Sequence, residues 1–297
     1  MSTFMEKLQA KQGEEKFVCV GLDSDPAKLP PRLIDKYGEG AQYQFNRQII
    51  EATVGVAGAY KLNRAFYGGE RGYENLLLTM RYLRNSYPDM PVIGDGKWND
   101  IGNTNAGYAK DVFDELKFTA ITINPYLGME AMKPFLDCED KGIIILVRTS
   151  NPGAGELQDL NVEVAREPSL LGTAPDTVSV MPLYEVVARF VAEKWNYNKN
   201  CCVVAGATST FELAKIRAIV GDMPILIPGI GAQGGDLETT VRVGANSKGQ
   251  GMIINNSRGI IFAYENSPEL GERNYAAAAA KATKSMHDEI TAALAAA

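Results

Sequence analysis

The chain has 297 residues, 45% of them hydrophobic and 22% charged, with a formal net charge of −6 and an isoelectric point near 5.1. That composition belongs to a globular protein with material for a sizeable core. Its acidity gives no support for nucleic-acid binding, although a local cationic pocket is compatible with it.

In chain order, the opening MSTFMEKLQAKQGEEKF lacks the apolar stretch of a signal peptide, and no window approaches the length of a membrane span. The first apolar run is FVCVGL at 17–22, followed by VAGAYKL near 56–62, PVIGD at 91–95 and FTAITI at 118–123. GIIILV at 142–147, NCCVVA at 200–205, MPILIP at 223–228 and GMIIN at 251–255 complete the series. Amphipathic stretches separate them, including 72–87, 181–196 and 209–221; in the last, Ser209 or Thr210 suits an N-cap and Gly221 a C-cap. Residues 152–180, rich in Gly, Pro and polar side chains, make a long connection of the kind that often serves as a lid. The Ala-rich end, about 272–297, reads as a final helix. Four cysteines without a C-x-x-C pair, two of them adjacent in an apolar run, fit reduced core residues of a cytoplasmic protein.

Eight buried strands alternating with helices predict a parallel sheet, and eight is the number that closes a (β/α)8 TIM barrel spanning residues 1–297 as a single domain. The rival, an open doubly wound sheet that binds a dinucleotide, lacks a G-x-G-x-x-G after its first strand.

A barrel places its chemistry at the C-terminal ends of its strands. Asp23 follows the first run, Lys61 and Asn63 the second, and Asp95, Lys97 and Asp100 the third. Thr149 and Ser150 follow the fifth, PGIGAQGGD at 228–236 the seventh, and Arg258 the eighth. The glycines of the seventh loop let backbone N–H groups approach an anion, and Arg258 arrives from the next strand end, so a phosphate site is expected there. Asp95 and Lys97, two apart, face one pocket if the strand continues that far, and Lys61 can reach the same place. A carboxylate between two ammonium groups stays ionised. The alternative for this row is a structural ion-pair network at a barrel rim. With a lone histidine, His287, in a polar helical tail, a Ser-His-Asp triad or a histidine metal site is almost excluded, and proton transfer falls to Lys, Asp, Glu or Tyr.

These residues resemble the orotidine 5′-monophosphate decarboxylase family over nearly the whole chain, and its longer, type 2 form most of all. The family's D-x-K-x-x-D-I stands as Asp95-Gly-Lys97-Trp-Asn-Asp100-Ile101 with Thr104 beyond it, its K-x-N as Lys61-Leu-Asn63, its G-L-D with Asp23, and its phosphate loop as Pro228-Gly229-Ile-Gly231-Ala-Gln233 before the closing Arg258. The resemblance implies a TIM barrel and a cofactor-free, metal-free decarboxylation of orotidine 5′-monophosphate to uridine 5′-monophosphate in pyrimidine biosynthesis. It also implies a homodimer with shared sites. In that reading Lys97 protonates C6, Asp95 and Asp100 crowd the substrate carboxylate, and Asp100, Ile101 and Thr104 come from the partner subunit. Lys61 links Asp95 to the ribose hydroxyls beside Asp23 and Asn63. Thr149 or Ser150 holds the pyrimidine edge, while Gln233, Arg258 and the backbone of Gly229 and Gly231 grip phosphate, with Pro228 a further substrate-binding residue at the head of that loop. The bulky Trp98 is expected at the dimer interface. A magnesium-dependent sugar-phosphate aldolase or decarboxylase of the same barrel group is the first alternative; a non-catalytic nucleotide-binding protein is the second.

Overall fold

Every one of the eight apolar runs forms a stave of a closed barrel. The computed structural model describes residues 2–165, 178–230, 236–267 and 270–296. Its strands are β1 (Val18–Gly21), β2 (Ala57–Asn63), β3 (Val92–Trp98), β4 (Ala120–Ile123), β5 (Gly142–Arg148), β6 (Asn161–Ala165), β7 (Val178–Pro182), β8 (Cys201–Ala205), β9 (Ile225–Ile227) and β10 (Met252–Asn256). The barrel runs β1-β10-β9-β8-β5-β4-β3-β2, with parallel pairing throughout, while β6 and β7 form a separate antiparallel pair.

The runs are apolar without alternation because both faces of each stave are covered. Inward side chains, among them Cys19, Ala59, Ile93, Ile144, Val204 and Leu226, fill the lumen. Outward ones, such as Val20, Leu62, Ile121, Ile145 and Ile227, pack beneath the helices. Cys19, Cys201 and Cys202 are buried in these layers and Cys138 is partly buried; all four thiols are free. Burial pushes the thiols of Cys19 and Cys201 up to about 12, so they remain protonated near neutrality.

The floor of the barrel is sealed by an N-terminal helix, Phe4–Gly13, an element that the apolar runs do not announce. Its cap is a reciprocal pair: Glu6 N–H donates to Thr3 Oγ1 at 3.2 Å and Thr3 N–H to Glu6 Oε2 at 2.8 Å. Phe4 and Leu8 project from it into the lumen cluster. At the other end of the chain the Ala-rich stretch is a helix, Tyr275–Ala295, which packs against the helix Ala41–Thr53 and buries Tyr275, Ala279, Met286 and Ile290. Small alanines allow close helix approach, and Phe45 stacks on Tyr275 with ring centroids 4.8 Å apart.

Three expectations change in detail. The helix read over 181–196 begins at Leu183, because Met181 and Pro182 pair with Val162 and Asn161 in the antiparallel β6–β7 pair. Ser209 sits at the N-cap of Thr210–Val220 but its side chain makes no capping bond, whereas Gly221 ends that helix at φ 59°, a left-handed position that suits glycine. The long connection after β5 contains a short helix, Gly155–Gln158, and the antiparallel pair β6–β7; residues 166–177 of the expected lid lie outside the described residues.

One cation ties the lower rim together. Arg217 donates from Nε and Nη2 to Gly244 O at 2.9 and 2.7 Å, from Nη1 to Gly221 O and Met223 O at 2.6 and 2.7 Å, and from Nη2 to Gly251 O at 2.8 Å. These carbonyls belong to the turns that lead into β9 and β10. Arg217→Met keeps the aliphatic stem and strips the carbonyls of their partner. We expect a loss of about 2–4 kcal/mol, read as a lower urea midpoint at unchanged slope.

Candidate active site

The upper rim gathers charge where the strands end. Lys61 on β2 and Asp95 on β3 are both buried, at 5% and 7% exposure. Lys61 Nζ donates to Asp95 Oδ2 at 2.8 Å and lies 3.5 Å from Asp23 Oδ1; Lys97 Nζ donates to Asp95 Oδ1 at 2.6 Å. Asp23 is fixed in turn by the Asn63 N–H, which donates to its Oδ1 at 3.1 Å. The row Asp23–Lys61–Asp95–Lys97 therefore alternates in sign and sums to zero, which lets four charges share a rim at tolerable desolvation cost. Burial alone would raise the Asp95 carboxyl, but the charges and hydrogen bonds of Lys61 and Lys97 outweigh it and hold it well below the usual carboxylate range. Burial would likewise lower Lys61; Asp23 and Asp95 outweigh it and hold the ammonium above its ordinary value.

Strand geometry accounts for the placement, with one departure. Lys61 and Asp95 point inward at the top of β2 and β3. The β3–β4 ladder is regular to Gly94↔Ile121 and resumes at Trp98↔Ile123, so residues 95–97 bulge from it. Lys97 lies in the bulge at φ 49°, a left-handed conformation that non-glycine residues rarely adopt. Gly96 is required beside it, since a Cβ there would stand 2.5 Å from the Trp98 indole. Trp98, expected at a subunit interface, packs half-buried on the core of its own chain.

A cavity of about 440 Å³ opens over this row, lined by Lys61, Asp95, Lys97, Thr149, Ser150 and Pro228 among the expected residues. It is also lined by Thr122, Gln158 and Asn255, which the sequence reading missed. The only signal for Thr122 was its inward position on β4, two residues beyond Ala120. The end of β5 is pinned by a side-chain network: Thr149 N–H donates to Gln158 Oε1 at 2.9 Å, Gln158 Nε2 to Thr149 Oγ1 at 2.9 Å, and Thr149 Oγ1 to Asn151 Oδ1 at 2.7 Å. The Thr149 hydroxyl is thus engaged, whereas that of Ser150 bonds to no described residue.

Other expected residues stand apart. Asp23 and Asn63 do not line the cavity; Asp23 joins the charge row, and Asn63 supports it through its backbone N–H. Asp100 lies outside the cavity, its Oδ1 accepting from the Ile101 N–H at 2.7 Å. The turn is held by buried Asn105, whose Oδ1 accepts from Asp100 N–H at 2.8 Å and whose Nδ2 donates to Ala131 O at 2.5 Å. Ile101 is 62% exposed and Thr104 is exposed as well. Arg258 opens a short helix, Arg258–Ile261, with its side chain in solvent, and Gly229 stands at φ 103° just past β9. Gly231 and Gln233 lie outside the described residues. A second cavity of about 440 Å³ lies at the opposite end of the barrel around Phe4, Met80, Phe113 and Lys117, away from every strand-end charge.

Residues 16–272 match the orotidine 5′-phosphate decarboxylase / HUMPS family. The chain is 44% identical over 262 residues to the orotidine 5′-phosphate decarboxylase of Janthinobacterium sp. (strain Marseille), covering 88% of this chain and 90% of that one. It is 43% identical over 276 residues to the enzyme of the same name from Cupriavidus metallidurans, covering 92% and 95% of the two chains. Among solved structures, Leishmania donovani OMP decarboxylase superposes with a TM-score of 0.79 at 32% identity, over 99% of this chain and 100% of that one. By sequence and fold, the chain belongs to the orotidine 5′-phosphate decarboxylase / HUMPS family.

Proposed function

We propose that the chain decarboxylates orotidine 5′-monophosphate to uridine 5′-monophosphate, a step of pyrimidine biosynthesis, and that Lys97 supplies the proton. The relatives' shared name supports the reaction; the observation that carries the mechanism is Asp95, ionised between Lys61 and Lys97 at 2.8 and 2.6 Å, at the wall of the cavity. When the bond between C6 and the carboxylate breaks, its electron pair stays on C6 in the ring plane, where the π system cannot take it up. The Lys97 ammonium faces that charge, stabilises it as it develops, and transfers an Nζ proton to C6. Lysine then regains a proton from solvent, to which its side chain is 47% exposed. An ionised Asp95 beside the substrate carboxylate disfavours the bound reactant relative to the product, and binding of the remote phosphate offsets that cost.

The remaining roles follow from what is engaged and what is free. Ser150 suits the pyrimidine edge better than Thr149, whose hydroxyl is taken by Gln158 and Asn151. Lys61, Asp23 and Asn63 suit the ribose hydroxyls. Arg258, with Gly229, Gly231 and Gln233, suits the phosphate. The magnesium-dependent alternative would need carboxylate oxygens for the metal, yet those of Asp95 already accept from Lys61, Lys97 and the Thr122 hydroxyl.

A homodimer with shared sites explains the position of Asp100. In its own chain it stays outside the cavity, and Ile101, Tyr108, Tyr126, Leu127 and Met129, in or next to the two helices Gly102–Ala109 and Gly128–Leu136 that pack together after it, are exposed, Tyr126 to 81%. A second copy seated there would bury these side chains and carry Asp100, Ile101 and Thr104 to the partner's cavity. Among the described residues, no helix is long and apolar enough to cross a membrane. Four free cysteines suit a reducing cytoplasm.

Three outcomes follow. Purified protein in excess EDTA should deplete the absorbance of orotidine 5′-monophosphate, and Lys97→Ala should slow that loss by at least about 10³-fold; activity on a sugar phosphate restored by magnesium would instead establish the alternative. Ile101→Glu should shift sedimentation toward the monomer and lower the rate at limiting protein concentration. The third concerns acid. Because the folded carboxyl of Asp95 is held below its unfolded value of about 3.9, its contribution to stability is present above that value. It is lost as pH falls through the lower folded one. Melting temperatures between pH 5 and pH 2 should fall less steeply for Asp95→Asn than for the native chain.

A further inference from the structure

Lys97 is held by strand β4 as well as by its own strand. In the bulge at 95–97 the backbone leaves the ladder, so its peptide groups need other partners. Two β4-side residues provide them. The Lys97 N–H donates to Thr122 Oγ1 at 3.1 Å, and Asn124 Nδ2 donates to the Lys97 carbonyl at 3.0 Å. The same Thr122 hydroxyl donates its own proton to Asp95 Oδ1 at 2.8 Å, the oxygen that also receives the Lys97 ammonium at 2.6 Å. Thr122 is 1% exposed, and each of its two hydroxyl bonds is made to a group of the charge row.

We propose that Thr122 is a positioning residue for the decarboxylation, its hydroxyl fixing both the backbone of Lys97 and the carboxylate that aims the Lys97 ammonium. This rests on the function proposed above. A left-handed lysine is disfavoured by itself and persists where its surroundings over-determine it. Here one hydroxyl bonds to the backbone at the root of the lysine side chain and to the carboxylate at its tip. Removing it frees Lys97 to relax toward ordinary strand geometry, which carries the ammonium away from C6. Substrate binding, borne by the phosphate and pyrimidine contacts elsewhere on the rim, is not expected to change. The loss therefore belongs in kcat and not in KM.

The test compares Thr122→Val, which keeps the branched shape without the hydroxyl, with Thr122→Ser, which keeps the hydroxyl without the methyl. Thr122→Ala takes the place of the valine variant if that chain does not fold, as judged by its melting transition. The expected result is a fall in kcat of about 10²-fold for the hydroxyl-less variant, with KM within about threefold and kcat restored to within about threefold by serine. The inference is overturned if the hydroxyl-less variant keeps native kcat, if its loss lies in KM, or if serine is as slow as valine, since the role would then be absent, a matter of binding, or one of packing. The native chain is assayed alongside: if it does not act on orotidine 5′-monophosphate at all, the proposed function fails and this inference with it. An active native chain with an unaffected valine variant removes only the inference.

Discussion

The upper rim of this barrel depends on the carboxylate of Asp95 remaining charged while nearly buried. An isolated carboxylate in that position would take up a proton to escape its desolvation. Lys61 and Lys97 prevent this at 2.8 and 2.6 Å, and Asp23 compensates Lys61 in turn. The members of the row depend on one another: Asp95 is shared by Lys61 and Lys97 and Lys61 by Asp23 and Asp95, so removing Asp95 costs both ammonium groups a partner and removing Lys61 leaves Asp23 without its cation. The catalytic reading and the stability of the rim thus share a single electrostatic origin.

The barrel makes such a row possible. Parallel staves bring the ends of β1, β2 and β3 side by side, so residues far apart in sequence meet with their inward side chains at one level. Neighbouring staves contribute what the row itself lacks. From β4 come hydroxyl and amide groups for the bulged backbone, and from β5 a network that orders the far wall of the cavity. The lumen beneath is apolar and filled, which keeps water from entering the charges from below.

The strands were legible because complete burial imposes a run of apolar residues, and all eight staves fall within a few residues of the runs that announced them. Asp95, Lys97 and Lys61 were legible because a barrel directs strand-end residues to one mouth. Other features were hidden for definite reasons. Thr122 looks like any β-branched strand residue, and its importance comes from a bulge on the neighbouring strand that no local pattern reports. The left-handed backbone at Lys97 has no signature of its own, since the usual flag for such a conformation is glycine. The N-terminal helix has a visible cue in Thr3 and, three residues on, Glu6, but no apolar run accompanies it. Asp100 stands in a spacing that is visible in the sequence, while its place outside the cavity of its own chain is not.

That N-terminal helix has a consequence for how the chain is assembled. Phe4 rests against Gly142, where any Cβ would lie 2.2 Å from its ring, and its N–H donates to Asp140 O at 3.0 Å. The seat of the helix therefore does not exist until the start of β5 has left the ribosome. Over that interval its capped turn can form locally, but Phe4 and Leu8 have no lumen to enter. The segment synthesised early is seated late, and its docking reports that the barrel around it has closed.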